Sequence, residues 1–269
     1  MGLSISPTRL KSDFFIFPLK YNLRRRILMK STTNNSQKVK KLTIIGLFIA
    51  LAYAVSAILP IKVSFLTLDF KDVISTICGL FFGPIAGIVC ASIVPFVELI
   101  TTSSTGFYGL IMNLISSITF VGIASLIYKY KKTIFGAILG LITASVATMG
   151  IMTLSNILIT PYYLEITTGM PLTAARDTVK SLLPTTIIPF NVVKSILNAS
   201  LSMLLYKPLS KILKTLGVSK SFKSTEASAP NVQASISNKR RSLIVTLVSA
   251  AIVVGAFVIV FAVLGGKLA

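Results

Sequence analysis

The chain has 269 residues, 54% of them hydrophobic and only 13% charged, with 27 Lys and Arg against 7 Asp and Glu for a net charge of +20. Ordinary soluble domains carry roughly a quarter charged residues, so this composition excludes a typical soluble fold and predicts lipid-facing helices. His is absent, and the two Cys, Cys78 and Cys90, lie inside apolar runs, which argues against a disulfide framework, a zinc site, a metal-dependent activity or His-based catalysis.

In chain order, residues 1–41 read as a basic cytoplasmic tail. Arg24, Arg25 and Arg26 precede a polar STTNNSQ stretch, without a small-residue cleavage site, so this is no ordinary signal peptide. FFIFPL at 14–19 suggests an interfacial patch, and Met29 is an alternative start. The first uncharged run, 42–61, follows Lys38, Lys40 and Lys41, and a short loop with Lys62, Asp69, Lys71 and Asp72 comes next. Further apolar runs cover 73–97 (broken by Gly83-Pro84), 107–128, 134–164, 181–206 (with one interior charge, Lys194) and 242–264. The Ser- and Ala-rich stretch 215–241 reads as a polar cytoplasmic linker to the last run, an additional helix whose plainest role is a lipid-facing anchor.

Charge decides whether 73–97 crosses once or doubles back. With the basic N-terminus inside, a single pass would leave Lys129, Lys131 and Lys132 outside. Two short passes, turning at Gly83-Pro84, put every basic cluster on the inner side, including Lys207, Lys211, Lys214, Lys239, Arg240 and Arg241. The chain is therefore expected to be an all-α integral membrane protein, with six helices over 42–214 and one more at 242–264. The basic clusters beside the spans point to an anionic lipid surface as partner rather than nucleic acid.

Polar residues in mid-membrane usually face a cavity or another helix. Asn113, Asn156, Asn191 and Lys194 all fall near the outer ends of their helices, and Asn191 and Lys194, three apart, share a face. Amides donate and accept, so the set suits a neutral, planar, multiply hydrogen-bonding ligand. Interhelical bonding by the Asn side chains and snorkelling by Lys194 are the structural alternatives. In the loop after the first run, Phe65, Leu66, Leu68 and Phe70 either cover a ligand or pack on the helix ends. In the first run Gly46, Ala50, Ala54 and Ala57 are small; Ala50 and Ala54, four apart, form a close-approach face, which internal packing would also explain. Glu98 stands alone in its run, and no buried acid pair suggests an ion relay. Gly265-Gly266-Lys267 is followed by Leu268, so no phosphate loop for ATP is present. Seven acids and no His leave too few groups for an enzyme's acid–base chemistry.

LDFKDVISTICGLFFGPIAGI resembles the outer-loop and second-helix signature of the S components of energy-coupling factor vitamin transporters, with Ile74-Ser75-Thr76 where many members have Pro. IIPFNVVKSILNASLSMLLYKPLSKILK is similar to the last core helix of the riboflavin-specific branch, through Pro189, Phe190, Asn191 and Lys194, and GLIMNLIS and SNILITPYY resemble its fourth and fifth helices. The resemblance covers about 40–214. It implies a six-helix bundle in the bacterial cytoplasmic membrane that binds a vitamin near its outer face. It implies no cofactor, with riboflavin as transported ligand, and Asn156, Asn191 and Lys194 at the flavin under a cover formed by the loop 65–69, with Phe65, Leu66 and Asp69. Asn113 joins them by depth alone. Ala50 and Ala54 match the AxxxA that docks the transmembrane coupling subunit in this family, where two cytoplasmic ATPases power uptake. Folate, pantothenate or thiamine would be the ligand of other branches, and an accessory anchor is the non-transport alternative.

Overall fold

A computed structural model describes residues 38–63, 65–103, 105–215, 232–262 and 267–268. The expected tail (apart from its last residues), its interfacial patch and most of the linker lie outside the described residues. Among those described, six helical stretches are long and apolar enough to cross a membrane: Lys38–Ile58, Pro84–Thr101, Gly106–Tyr130, Ile134–Thr168, Leu172–Ser210 and Leu243–Val260.

Helix α1 spans Lys38–Ile58. Its Gly46 has no neighbouring atom within 4 Å of where a side chain would start, and Ala50 is exposed. Among the described residues, the small-residue face is therefore not used for packing at these two positions.

The loop that follows is a β-hairpin, β1 (Ile61–Val63) against β2 (Leu66–Leu68), with Lys62 opposite Thr67. Ile61, Val63 and Leu68 point inward while Lys62 and Thr67 face out. This period-of-two burial of branched residues is what selects strand over coil. A third short strand, β3 (Lys267–Leu268), pairs with the other edge of β1, giving the order β2-β1-β3.

Helix α2 (Lys71–Phe82) ends at Gly83, whose φ of 96° is open to glycine but strained for other residues, and α3 (Pro84–Thr101) starts at once with Pro in its first turn. The reversal expected from Gly83-Pro84 is thus present. At 12 residues α2 is about 18 Å long, short of the roughly 30 Å hydrocarbon core, so this pass is a partial one. The two arms touch backbone to backbone: a methyl group at Gly87 would lie 2.6 Å from the Gly79 Cα and 2.8 Å from Val121. Cys78 and Cys90 are buried in the same seam without a disulfide, and Ser75 Oγ donates to Cys90 Sγ there at 3.4 Å.

Helices α4 (Gly106–Tyr130) and α5 (Ile134–Thr168) pack along each other, with Phe120, Ala124, Leu141 and Ala144 at their contact. Helix α5 closes on Gly169 in the left-handed conformation, and α6 (Leu172–Leu182) follows, burying Ala175 and Val179. The sequence reading has only a connection there. Residues 183–187 form a π turn leading into α7 (Ile188–Thr215). Pro189 has no N–H to give to the carbonyl four residues back, and its ring crowds that turn, so the helix widens.

Helix α8 (Val232–Ala262) is more than an anchor in lipid. It lies along α7, buries Ser249, Ala256 and Val260, and sets Phe257 against Phe70, ring centres 6.0 Å apart, at the foot of the hairpin. Its opposite face exposes Leu247, Val254 and Val258.

Candidate functional site

At the hairpin end of the bundle a cavity of about 720 Å³, counting its open mouth, is enclosed by the hairpin, α4, α5 and α7. Phe65, Leu66 and Thr67 form one wall, Tyr108, Met112 and Asn113 of α4 a second, Met152, Asn156 and Tyr163 of α5 a third, and Phe190, Asn191 and Lys194 of α7 the fourth. All four polar residues singled out in the sequence meet here, together with two of the three loop residues. Such a cleft, mostly apolar with a few convergent polar groups, is the usual form of a small-molecule site.

Two of the amides, Asn156 and Asn191, bond within their own helices. Asn156 Nδ2 donates to the Met152 carbonyl at 2.7 Å, and its Oδ1 accepts from Thr160 Oγ1 at 3.0 Å. Asn191 Nδ2 donates to the Ile187 carbonyl, the last of the π turn, at 2.9 Å. Each bond stays within its own helix and fixes the rotamer, leaving a second N–H on each amide and the Asn191 oxygen for the cavity. The aromatic faces of Phe65, Tyr108, Tyr163 and Phe190 line the same space, with Tyr108 and Tyr163 packed at 5.8 Å.

Lys194 does not snorkel. It is 8% exposed, and its Nζ lies 3.3 Å from Asp69 Oδ2. Asp69, just behind the cavity wall, also accepts from Lys71 Nζ at 3.1 Å, and Lys71 reaches Glu98 of α3 at 2.7 Å. Glu98 is therefore not alone, contrary to the sequence reading, and Lys71 and Asp72 are not loop charges in water but buried at 1% exposure. Burial pushes the Asp69 carboxyl up, and the ammonium groups of Lys194 and Lys71 outweigh it, holding the group below the ordinary carboxylate range. Asp69 Oδ1 is buried with no hydrogen-bond partner among the described residues. Alongside, Asp72 accepts from Ser117 of α4 and from Asn198 of α7, the latter at 3.4 Å.

Sequence reasoning missed Lys71, Asp72, Glu98 and Asn198. One signal was available: Asn191, Lys194 and Asn198 recur at helical spacing on one face. Ala50 and Ala54 lie apart from this site, on α1. Among the described residues no group of His, Cys, Asp and Glu is arranged to hold a metal.

Residues 40–206 match the family described as ECF transporter, substrate-specific component. A riboflavin transporter, RibU, of Staphylococcus aureus (strain TCH60) is 30% identical over 188 residues, covering 68% of this chain and 96% of the relative. The riboflavin transporter FmnP of Bacillus subtilis (strain 168) is 28% identical over 166 residues, 59% of this chain and 86% of the relative. Among solved structures, the S component of a bacterial ECF transporter superposes with a TM-score of 0.54 at 29% identity, covering 66% of this chain and 99% of that one. The family match over residues 40–206, the 30% identical relative and the shared bundle agree, and the chain belongs to the substrate-specific components of ECF transporters.

Proposed function

We propose that this chain binds riboflavin in the cavity at the hairpin end and presents it to a transmembrane coupling subunit driven by two cytoplasmic ATPases. The observation that carries the reading is the convergence of Asn113, Asn156, Asn191 and Lys194 on one aromatic-lined cavity beneath Phe65 and Leu66. A flavin has the matching chemistry: a flat ring for the aromatic walls and one edge of carbonyls and ring nitrogens for the amides and the ammonium. Both curated relatives are named riboflavin transporters, which favours this vitamin over others. Asp69 serves as the support behind Lys194. The exposed Ala50 and the half-buried Ala54 offer α1 as the docking face for the coupling subunit, since a smooth helix surface permits close approach.

Protein purified from cells should be yellow, with flavin absorption bands that disappear on denaturation and dialysis. Ala50→Leu should keep the colour and lose uptake by the assembled transporter. A colourless protein that does not quench added flavin would refute the vitamin assignment.

The N-terminus and the Lys129, Lys131 and Lys132 turn are proposed to be cytoplasmic, on the one-sided distribution of charge. The cavity, at the opposite end of α4, then opens outward. A cysteine placed at position 131 should resist membrane-impermeant thiol reagents in intact cells. Its labelling from outside would invert the topology.

A further inference from the structure

The site as described needs Lys194, but nothing in the cavity explains why an ammonium group should stay there, buried and directed at a neutral ligand. The explanation lies behind the wall. Glu98, Lys71, Asp69 and Lys194 are joined in series by contacts of 2.7, 3.1 and 3.3 Å, each member nine-tenths or more buried by residue. Asp69 spends one oxygen, Oδ2, on both lysines. Lys71 is shared in turn between Asp69 and Glu98. The four residues come from α3, α2, the turn before α2, and α7.

We infer that Lys71 and Glu98 are positioning residues for the cavity: through the carboxylate of Asp69 they fix where the Lys194 ammonium points. Glu98 draws the Lys71 ammonium away from Asp69, so that Oδ2 remains available to Lys194. Without the Glu98 charge, Lys71 would turn wholly onto Asp69 and compete with Lys194 for the same oxygen. At low local dielectric such competition is strong, because water does not screen it. Neither Lys71 nor Glu98 lines the cavity, so both act only through Asp69.

The inference rests on the ligand reading for its effect on affinity but not for its effect on Lys194 itself, and the experiment separates the two. Ligand-free protein in detergent is treated with acetic anhydride, and acetylation of Lys194 is followed by mass spectrometry. Glu98→Gln should raise the rate at Lys194 at least threefold. Glu98→Asp, which keeps the charge but withdraws it, should shift the rate the same way by less, and serves if Glu98→Gln does not fold. In flavin titrations Glu98→Gln should weaken binding about tenfold, and should cost nothing further in a Lys194→Ala background, because coupled residues are not additive. An unchanged acetylation rate at Lys194 in the Glu98 variants overturns the relay. So does a loss of flavin affinity that persists undiminished in the Lys194→Ala background, which would mark Glu98 as merely structural. A wild type that binds no flavin overturns the vitamin assignment and leaves the acetylation test intact.

Discussion

Asp69→Ala should destabilise the protein by about 3–5 kcal/mol, the usual cost of removing one partner from a buried ion pair. Asp69 is 4% exposed and holds two ammonium groups. Its loss removes the one carboxylate that both lysines contact, leaving Lys71 in contact with Glu98 and only the more distant Asp72 charge facing Lys194. The exposed pair Lys180–Asp177 provides the control, because its separation of 3.1 Å equals that of Lys71–Asp69. Both its side chains are about three-quarters solvent-accessible, at 72% and 75%. Exposed pairs of this kind contribute about 0–1 kcal/mol, so Asp177→Ala should be nearly silent. Burial, and not distance, separates the two. Thermal unfolding in detergent, with the two variants side by side, checks the difference. Equal melting temperatures would mean that the Asp69 cluster is hydrated and inexpensive to open.

Asn191→Ala and Lys194→Ala should each weaken flavin binding by roughly one to two orders of magnitude. Leaving a buried polar partner unsatisfied costs about 1–3 kcal/mol, and each 1.4 kcal/mol is tenfold in affinity. The internal bonds sharpen the expectation. Asn191 gives one N–H to the Ile187 carbonyl, so its oxygen and second N–H are what the ligand would meet. Lys194 gives one N–H to Asp69, so its other two are what ligand carbonyls would meet. Asn191→Ala also deletes a bond inside the helix, so a circular-dichroism melt belongs beside the fluorescence titration. Unchanged affinity in both variants would remove the cavity from consideration as the flavin site.

The parts of this molecule legible in its sequence are those governed by one-dimensional patterns. Apolar length gives the spans, Gly83-Pro84 gives the reversal, and the costly amides of Asn113, Asn156 and Asn191 announce a common depth, which the structure gathers into one cavity. The parts that were not legible depend on partners far apart in the chain. Lys71 and Glu98 are 27 residues apart, Asp69 and Lys194 are 125 apart, and Asp72 and Asn198 are 126 apart. A charge beside an apolar run looks solvated until its counter-ion is known. The hairpin was hidden for a related reason: Lys62 and Asp69 gave the stretch the look of a wet loop, although Ile61, Val63 and Leu68 already alternate inward. Helix α6 escaped because it is amphipathic and polar overall, with only Ala175 and Val179 turned to the bundle.

The place of β3 has a consequence for how the protein behaves among its own copies. A two-stranded hairpin at a membrane surface would leave β1 with a row of unpaired N–H and C=O groups, a template on which any extended chain can add itself. Here residues 267–268 of the same chain occupy that side of β1 through Ile61–Leu268 and Lys62–Lys267 pairing. That side of β1 is paired in cis, at the high local concentration that a covalent tether provides. The pairing covers two of the three β1 residues, and the open edges of the sheet pass to β2 and β3.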